Sequence, residues 1–553
     1  MNIYKNLGFL FKFMKKSKLH LVISIVMMLI SVIIVTPIPY IVGYTIDNVV
    51  LANKSYTELY KISALIMILY ITKYFITLLY QYCLSRVQQN VINEIRLSMI
   101  SNVIDSPLSF INNKEKGYIL SRISESQQIG SIFNPNILSS FTGIFDLIGS
   151  LIVMINLNLK LTLLCLCMIP IYFFISKKSS EQISESTMKV HETSAIFNGE
   201  IFEILNGIED LKLLNIKNHY IKQISENLEN VVKSVLKQSL NFIYFVQNII
   251  LASDLVTVLV LLLSGVLILE NEITIGLYTS FSIYTTKILS ITQSLGSLDI
   301  MIKPVCVTIE RVKEFFSLDS ENESNSKQLN SEIQSISFRD MYFRYKEDNE
   351  YVIESFNEDF IAGDKILLRG INGSGKTTLI KLIAGLYTPT YGDILINGQS
   401  YLTLTKDSIR EKIGLVSQNI FLFKGTIMEN ILYGNKNATE EDIINLISEF
   451  KLNNYVERFE NGLHTEIIQN GTTISGGQAQ IVAFLRAMIG KKDVIILDEA
   501  TSNLDIETRE LILETLSTIE TYKILIIISH HEEKVNFINK EIILNNFEKE
   551  IVS

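Results

Sequence analysis

Six apolar segments in the first 310 residues constrain this chain more than any other feature of its sequence. They cover approximately residues 21–46, 60–82, 137–157, 160–177, 247–269 and 274–296. A helix needs about 20 apolar residues to cross a lipid bilayer, so most of these segments are long enough. The pattern predicts a bundle of six transmembrane helices that returns the chain to the side on which it began.

Charge at the amino-terminal end predicts how this bundle is oriented. Residues 1–20 contain five lysines and no acidic residue, and an uncharged run from Leu21 to Ile46 follows directly. Basic flanks stay in the cytoplasm. A signal peptide also begins with a basic stretch, but this run is longer than the apolar core of a signal and lacks a cleavage site of small residues. We therefore expect a multi-pass protein of the cytoplasmic membrane with a cytoplasmic amino terminus.

The loops between the apolar segments alternate in size. Those at about 83–136 and 178–246 are long, charged and helical in pattern, whereas the others are short. We expect paired helices to continue into the cytoplasm. Their tips would lie near residues 116–128 and 198–207.

The second half of the chain has a different composition. Residues 317–331 are polar and rich in Ser and Asn, which is typical of a linker. Beyond them, short β-rich runs alternate with helical stretches, and this order predicts an α/β domain with a largely parallel sheet. We predict a transmembrane domain over residues 1–316, a linker over 317–331 and the α/β domain over 332–553.

Net charge and cysteine spacing exclude two other classes of protein. The formal net charge is −9, whereas binding to a nucleic-acid backbone needs a basic face, so we expect no nucleic-acid partner. The cysteines lie in or beside apolar segments without zinc or C-x-x-C spacing, which favours ordinary packing in helices.

A glycine-rich loop in the second half is typical of a phosphate site. The run from Gly370 to Thr377 satisfies G-x-x-x-x-G-K-T between a strand-like and a helical stretch. Backbone N–H groups would converge on phosphate oxygens, Lys376 would neutralise the outer phosphates, and the Thr377 hydroxyl would reach Mg²⁺. The candidate nucleotide-binding residues are Gly370, Asn372, Gly373, Ser374, Gly375, Lys376, Thr377 and Thr378.

Two later strand-like runs end in residues that suit phosphoryl chemistry. The first ends in Asp498 and Glu499, and the second leads to His530. Asp498 would bind Mg²⁺, Glu499 would polarise an attacking water, and His530 would contact the γ-phosphate. Polar strand ends at a surface are the alternative, which their combination beside a phosphate loop disfavours.

A second glycine-rich helix start, from Ser475 to Gln478, lies about twenty residues before these carboxylates. Phosphoryl transfer gains most when donors surround the γ-phosphate from both sides. We predict that this helix start supplies the far side in trans, so that two chains complete each other's sites with ATP between them. A simple glycine turn before a helix is the alternative.

Together, these motifs in this order resemble the ATP-binding cassette (ABC) proteins, and nearly the whole chain is similar to an exporter-type half-transporter. The resemblance implies a membrane α-helical bundle of six helices followed by an α/β P-loop nucleotide-binding domain. It implies ATP and Mg²⁺ as cofactors, and ATP hydrolysis that drives alternating access. It further implies that the loop tips at 116–128 and 198–207 dock on the cassettes.

The resemblance also implies roles for individual residues. Tyr345 would stack on adenine, and Gln418 would sense Mg²⁺ and couple the site to the membrane helices. Glu499 and His530 would act in hydrolysis, and Asp505 would belong to the contact between cassettes. The residues that would bind the partner's ATP are Ser475, Gly476, Gly477 and Gln478.

Three positions depart from the family pattern. Ala479 and Ile481 flank Gln480 where the family usually has Arg-Gln-Arg, so a basic group beside the partner's nucleotide is missing. Gln469 lies where exporters commonly have a Gly-Glu pair. The family's usual carboxy-terminal helix is expected to be shortened or absent.

Partner and cargo stay open within the resemblance. A homodimer is the simplest assembly because Glu499 and the phosphate loop are intact, but a heterodimer with a degenerate sibling is an alternative. A membrane and an ATPase part on one chain resemble exporters rather than importers. Peptides, lipids and amphipathic drugs remain candidate cargo, although the roughly 20 residues before the first span are too few for a leader peptidase. A membrane sensor that hydrolyses ATP without moving cargo, and a soluble ABC ATPase with a hydrophobic domain, are alternative functions.

Charged residues inside the apolar segments should face the bundle interior. Each would cost roughly 2.5–3.5 kcal/mol at mid-helix if unpaired. Pairing between them, snorkelling lysines and substrate contact are all compatible with their positions. These residues are Lys73, Asp146, Asp254 and Lys287.

Overall fold

A computed structural model describes residues 8–52, 56–114, 116–322, 326–347, 350–468, 474–500, 504–519, 521–528 and 537–544. The chain divides into two compact units. The first consists of Met1–Ile104 with Lys114–Leu318, and the second of Asp105–Asn113 with Asp319–Ser553.

The first unit is entirely helical over its described residues. Its long helices follow the apolar segments and continue past them, as the charged helical loops predicted. They are Lys18–Val35, Ile38–Thr45, Tyr56–Ile104, Pro135–Leu157, Leu159–Asn206, Lys217–Leu269 and Ile275–Lys313. Shorter helices are Lys116–Gly130 and Ile208–Leu213, with single turns at Lys15–Ser17, Ile46–Val50, Ser131–Phe133 and Glu314–Phe316.

Five stretches of described helix are long and apolar enough to cross a membrane. They are Lys15–Val50, Tyr56–Ile104, Ser140–Leu157, Leu159–Asn206 and Lys217–Leu269. Helices of 48 to 53 residues far exceed the about 20 residues that a bilayer requires. The excess length continues these helices beyond the span of a bilayer.

The sixth predicted segment forms the continuous helix Ile275–Lys313, which is not among these five. Polar side chains lower the mean hydropathy of this helix. Several of them face the bundle interior, where they form hydrogen bonds. Ser280 donates a hydrogen bond to the Pro39 carbonyl at 2.9 Å, and buried Tyr284 donates one to the Thr36 carbonyl at 2.6 Å. A helix that bonds its neighbours in this way needs no apolar surface all round.

The first membrane-crossing stretch breaks at a proline. Lys18–Val35 ends just before Thr36 and Pro37, and Ile38–Thr45 begins directly afterwards. Proline cannot donate the helical N–H bond, and its ring displaces the preceding turn. The Tyr284 hydroxyl accordingly bonds a carbonyl at this break.

Two main sheets form the second unit. A four-stranded antiparallel sheet has the order β2-β1-β4-β5, and a five-stranded parallel sheet has the order β11-β3-β10-β9-β6. A small third sheet pairs β7 with β8. The strands are β1 Ser335–Phe343, β2 Ile353–Ile361, β3 Lys365–Arg369, β4 Tyr391–Ile396, β5 Gln399–Ser400, β6 Ile413–Val416, β7 Gly425–Thr426, β8 Glu466–Ile467, β9 Val494–Asp498, β10 Ile524–Ile528 and β11 Lys540–Ile543.

The parallel sheet is buried on both faces, as its β-rich apolar runs predicted. Along β3, Ile366 and Leu368 belong to one apolar core, and Leu367 between them belongs to the other. The helices of this unit are Leu108–Asn113, Lys376–Ile383, Lys406–Arg410, Ile427–Leu432, Glu440–Glu449, Asn453–Val456, Gly476–Met488 and Ile506–Thr518, with single turns at Tyr401–Thr403 and Gly462–His464.

Part of the segment interpreted as a linker pairs with the α/β fold. The Lys327 amide donates to the Thr403 carbonyl at 2.8 Å, and the Leu329 amide donates to the Ser408 hydroxyl at 3.0 Å. Leu329 is buried in the core. Polar composition predicted a loop here but could not show that the loop is packed.

Candidate functional site

The glycine loop after β3 has the backbone that a phosphate cradle requires. Gly370 and Gly375 have φ values of 155° and 92°, which side-chain-bearing residues rarely adopt. A Cβ on Gly370 would collide with the carbonyl oxygen of Leu544. The helix Lys376–Ile383 begins directly after the loop, so its N-terminal amides point at the same space.

Lys376 lies within this loop. Its ammonium group donates to the carbonyls of Gly370 at 2.7 Å and Ile371 at 3.0 Å, and the residue is only 7% exposed. Burial lowers the pKa of Lys376, and the carboxylates of Glu499 and Asp498 oppose that effect. The site therefore holds a buried cation beside two anions, next to amides that suit phosphate oxygens.

Two oxygen-bearing side chains, Thr377 and Asp498, lie close together at the end of β9. The Thr377 hydroxyl is 3.4 Å from the carboxylate of Asp498, which is 4% exposed. Because β9 and β3 flank β10 in the parallel sheet, their carboxyl ends fall at one edge. Hydroxyl and carboxylate oxygens are the ligands that Mg²⁺ prefers, together with phosphate oxygens. Thr377 and Asp498 thus fit a magnesium ion.

Glu499, directly after β9, is bound from three directions. Its carboxylate accepts a hydrogen bond from Gln418 Nε2 at 2.9 Å, and its backbone carbonyl accepts one from Gln480 Nε2 at 3.1 Å. Its amide donates to the Ile528 carbonyl at 3.3 Å. The structure therefore brings Lys376, Thr377, Asp498 and Glu499 together with Gln418. His530 lies outside the described residues.

The second glycine-rich stretch does begin a helix, Gly476–Met488. Ser475 caps it, since its hydroxyl accepts from the Gln478 amide at 3.2 Å while the Gln478 side chain accepts from the Ser475 amide at 2.8 Å. Such reciprocal bonds satisfy two amides of the first turn. Ser475 and Gly476 are exposed and Gly477 is half-buried, so this helix start is open to a ligand.

Tyr345 and Thr378 lie next to each other beside the phosphate loop. Their hydroxyls are 2.9 Å apart, and the Tyr345 ring packs edge-on against Phe343 and Tyr387. Tyr345 is half-buried, whereas Asn372 and Gly373 are exposed at the tip of the loop. The Tyr345 ring thus lies close to the phosphate loop.

Asp505 caps the helix Ile506–Thr518. Its carboxylate accepts from the Thr508 amide at 2.8 Å, and this backbone bond holds its pKa below the usual range. Sequence reasoning assigned Asp505 only to a contact between cassettes and missed this capping bond. The spacing of Asp505 and the following helix could have indicated it.

The loop after the second apolar segment contributes a short helix to the second unit. Asn112 donates to the Tyr387 hydroxyl at 2.7 Å, and Leu108 packs against the sheet's core. We expected the contact at 116–128, but that stretch forms the helix Lys116–Gly130 within the first unit. The docking segment is thus Leu108–Asn113, and contact by 198–207 stays a prediction.

Two of the four charged residues in apolar segments form an ion pair. Lys287 Nζ lies 2.5 Å from the Asp146 carboxylate, and each side chain is 16% exposed. Thr36 donates to the same carboxylate at 3.0 Å. Lys73 is half-buried, but Asp254 is exposed, so Asp254 does not face the interior of this chain's own bundle.

Comparison with known proteins agrees with this architecture. Residues 21–292 match the family model described as the ABC transporter transmembrane region, and residues 353–502 match the model described as ABC transporter. The protein YfiC of Bacillus subtilis, described as an uncharacterized ABC transporter ATP-binding protein, is 26% identical over 98% of this chain and 89% of its own length. ComA of Streptococcus pneumoniae, a transport/processing ATP-binding protein, is 28% identical over 91% of this chain and 70% of its own length. The mesentericin-Y105 transport/processing ATP-binding protein MesD of Leuconostoc mesenteroides is 27% identical over 92% of this chain and 71% of its own length.

The fold agrees with that of a solved structure. A bacterial Atm1-family ABC exporter with ATP bound superposes with a TM-score of 0.87, covering 95% of this chain and 94% of that chain at 20% identity. At this identity the likeness concerns the fold, namely a helical membrane domain followed by an α/β nucleotide-binding domain.

Proposed function

This chain belongs to the ABC transporters as an exporter-type half-transporter, and we propose that it exports a peptide from the cytoplasm as a homodimer. The family couples ATP hydrolysis to movement across a membrane. The observation that carries the proposal is the convergence of Lys376, Thr377, Asp498 and Glu499 at one sheet edge, on a chain with membrane-spanning helices.

The ATP site assigns one task to each side chain. The loop amides and Lys376 bind the β- and γ-phosphates, and Tyr345 stacks on adenine. Thr377, Asp498 and Gln418 would hold Mg²⁺, and the bound ion would neutralise charge on the transferred phosphoryl group. Glu499 takes the proton of the attacking water, and Gln418 orients the Glu499 carboxylate through their 2.9 Å bond. His530 contacts the γ-phosphate.

A second chain completes this site. The exposed helix start at Ser475 and Gly476 offers amides and a positive helix end. Placed against the partner's γ-phosphate, Ser475, Gly476, Gly477 and Gln478 supply the donors that the phosphate loop leaves uncovered. ATP then holds two cassettes together, and hydrolysis releases them. Glu499 and the complete loop support two equivalent active sites, and hence a homodimer.

Closure of the cassettes reaches the membrane through the cytoplasmic loops. Leu108–Asn113 already belongs to the α/β unit, so movement of the cassette carries the first loop with it. The tip of the second loop exposes Leu213 by 81% and Leu214 by 67%. Apolar side chains so exposed favour burial against another surface, and we assign them to the cassette of the partner. Alternating access follows from the two positions of the cassettes.

A cavity among the long helices, with many charged and polar residues in its lining, supports a peptide as cargo. It measures about 1840 Å³ and combines basic and acidic side chains. Such a lining suits a chain with backbone amides and mixed charges better than a lipid tail. Its charged residues are Arg122, Glu125, Glu185, Lys189, Glu192, Lys233, Lys237 and Arg311. The relatives named for transport/processing of mesentericin Y105 and lactococcin A favour the same class.

Uptake into inside-out vesicles tests the proposal. Vesicles with the wild-type chain, and with Glu499→Gln as the matched control, receive ATP and a mixed library of peptides, lipids and amphipathic drugs. We expect ATP-dependent enrichment of peptides inside the wild-type vesicles alone. Enrichment of lipids or drugs instead would overturn the peptide assignment. ATP hydrolysis without uptake of any class would favour a membrane sensor. In both cases we expect the amino terminus and the cassette to be exposed on the outside of these vesicles.

A further inference from the structure

Gln480 is a buried polar residue that contacts the active site of its own chain. It lies on the helix Gly476–Met488 and is 2% exposed. Its side-chain amide donates to the backbone carbonyl of Glu499 at 3.1 Å. Burying an amide is costly unless it is hydrogen-bonded, so this contact fixes the side chain where it lies.

The carbonyl that Gln480 binds belongs to a strained residue. Glu499 has a φ of 52°, in the left-handed region. That region is unfavourable for a residue with a Cβ, and such strain persists only where the surroundings hold it. The amide of Glu499 is held by the Ile528 carbonyl, and its carbonyl by Gln480. These two bonds hold the backbone on both sides of the carbon from which the carboxylate side chain extends.

We propose that Gln480 is a positioning residue for ATP hydrolysis, which holds Glu499 in its left-handed conformation and so aims the carboxylate. The inference rests on the proposed role of Glu499 as the base. Gln480 thus acts in the ATP site of its own chain, although it lies on the helix whose start is proposed to bind the partner's ATP. The same helix therefore links the two ATP sites of a dimer. When the partner's ATP displaces the start of the helix, the bond between Gln480 and the Glu499 carbonyl in the chain's own site also moves.

Replacement by methionine removes the amide donor at similar side-chain length. Without the bond, the Glu499 backbone can relax, and displacement of a reacting group by about 1 Å costs up to about 10²-fold in rate. For Gln480→Met we expect kcat to fall about tenfold to hundredfold, with the KM for ATP and equilibrium ATP binding unchanged. Val482→Ala is the matched control, since Val482 is fully buried on the same helix. It should lower the melting temperature but leave kcat within about twofold.

Combination with Glu499→Gln separates positioning from general damage. If Gln480 acts only through the Glu499 carboxylate, Gln480→Met should not slow the Glu499→Gln variant further. An additional loss of equal size, or a parallel loss of ATP binding, would overturn the proposal. So would an unchanged kcat in Gln480→Met while Glu499→Gln is inactive. If Glu499→Gln itself hydrolyses ATP normally, the proposed role of Glu499 as the base fails instead.

Gln480→Glu provides a second readout should the methionine variant not fold. A protonated carboxyl can donate to the Glu499 carbonyl, but an ionised one cannot. We expect the kcat of Gln480→Glu relative to the wild type to rise as the pH falls, because burial favours the protonated form. A ratio that stays constant with pH would contradict the positioning role.

Discussion

Gln418 Nε2 lies 2.9 Å from Glu499 Oε2, which joins the loop after β6 to the carboxylate at the end of β9. A hydrogen bond to a charged group contributes about 1.5–3 kcal/mol. At saturating Mg²⁺, where loss of one metal ligand is compensated, we therefore expect Gln418→Met to bind ATP normally but to hydrolyse it about tenfold more slowly. Nucleotide binding and steady-state hydrolysis, measured on the same preparation, test this. An unchanged kcat would remove Gln418 from the positioning of Glu499.

The Thr377–Asp498 pair predicts how the protein depends on magnesium. Thr377→Val keeps the shape of the side chain but removes its oxygen, and Asp498→Asn removes the charge. Both should raise the Mg²⁺ concentration at half-maximal hydrolysis, by about tenfold or more, because Mg²⁺ demands oxygen ligands in a fixed geometry. Titration with Mg²⁺ at constant free ATP measures the shift. Thr515→Val is the control, since the Thr515 hydroxyl donates to the Leu511 carbonyl within its own helix, away from the site.

Shared sites predict complementation between two inactive chains. Gly477→Asp places a carboxylate against the partner's γ-phosphate and should block closure, whereas Glu499→Gln disables the site of its own chain. A mixed dimer of the two retains one site with an intact phosphate loop and an intact opposing helix. We expect hydrolysis to reappear on co-expression, although each homodimer is inactive. Failure of the mixed dimers to recover any activity would argue against sites formed in trans.

The ion pair of Asp146 and Lys287 predicts a double-mutant cycle. Removing one partner leaves a charge in the bundle, which is costly. Asp146→Asn and Lys287→Met should each lower the melting temperature in lipid nanodiscs. The double variant should recover part of the loss, with a coupling energy of about 1–3 kcal/mol. Additive losses would show that the pair does not stabilise the bundle. Lys73→Met serves as a control on a different helix.

Local patterns in the sequence predicted the parts of the site that one strand and one helix define. The phosphate loop, the carboxylates after β9 and the helix start at Ser475 each depend on a few consecutive residues, whose glycines and capping groups specify the backbone. The apolar cores on both faces of the parallel sheet likewise follow from runs such as that in β10.

Contacts between distant segments could not be predicted in this way. Gln480 and Glu499 are separated by 19 residues, and nothing in the neighbourhood of either indicates their bond. The docking helix Leu108–Asn113 is shorter than any periodic pattern can reveal, so the longer helix beginning at Lys116 was the wrong choice. The polar residues of Ile275–Lys313 acquire their meaning only from the helices that they bond.

ATP hydrolysis by the purified protein in lipid nanodiscs, wild type beside Glu499→Gln, tests the central claim most directly. The account predicts that the variant binds ATP with wild-type affinity but turns it over about 10²–10⁴-fold more slowly, which is the usual contribution of a catalytic base. Hydrolysis at the wild-type rate in Glu499→Gln would contradict it, because the carboxylate assigned to activate the water would then be dispensable.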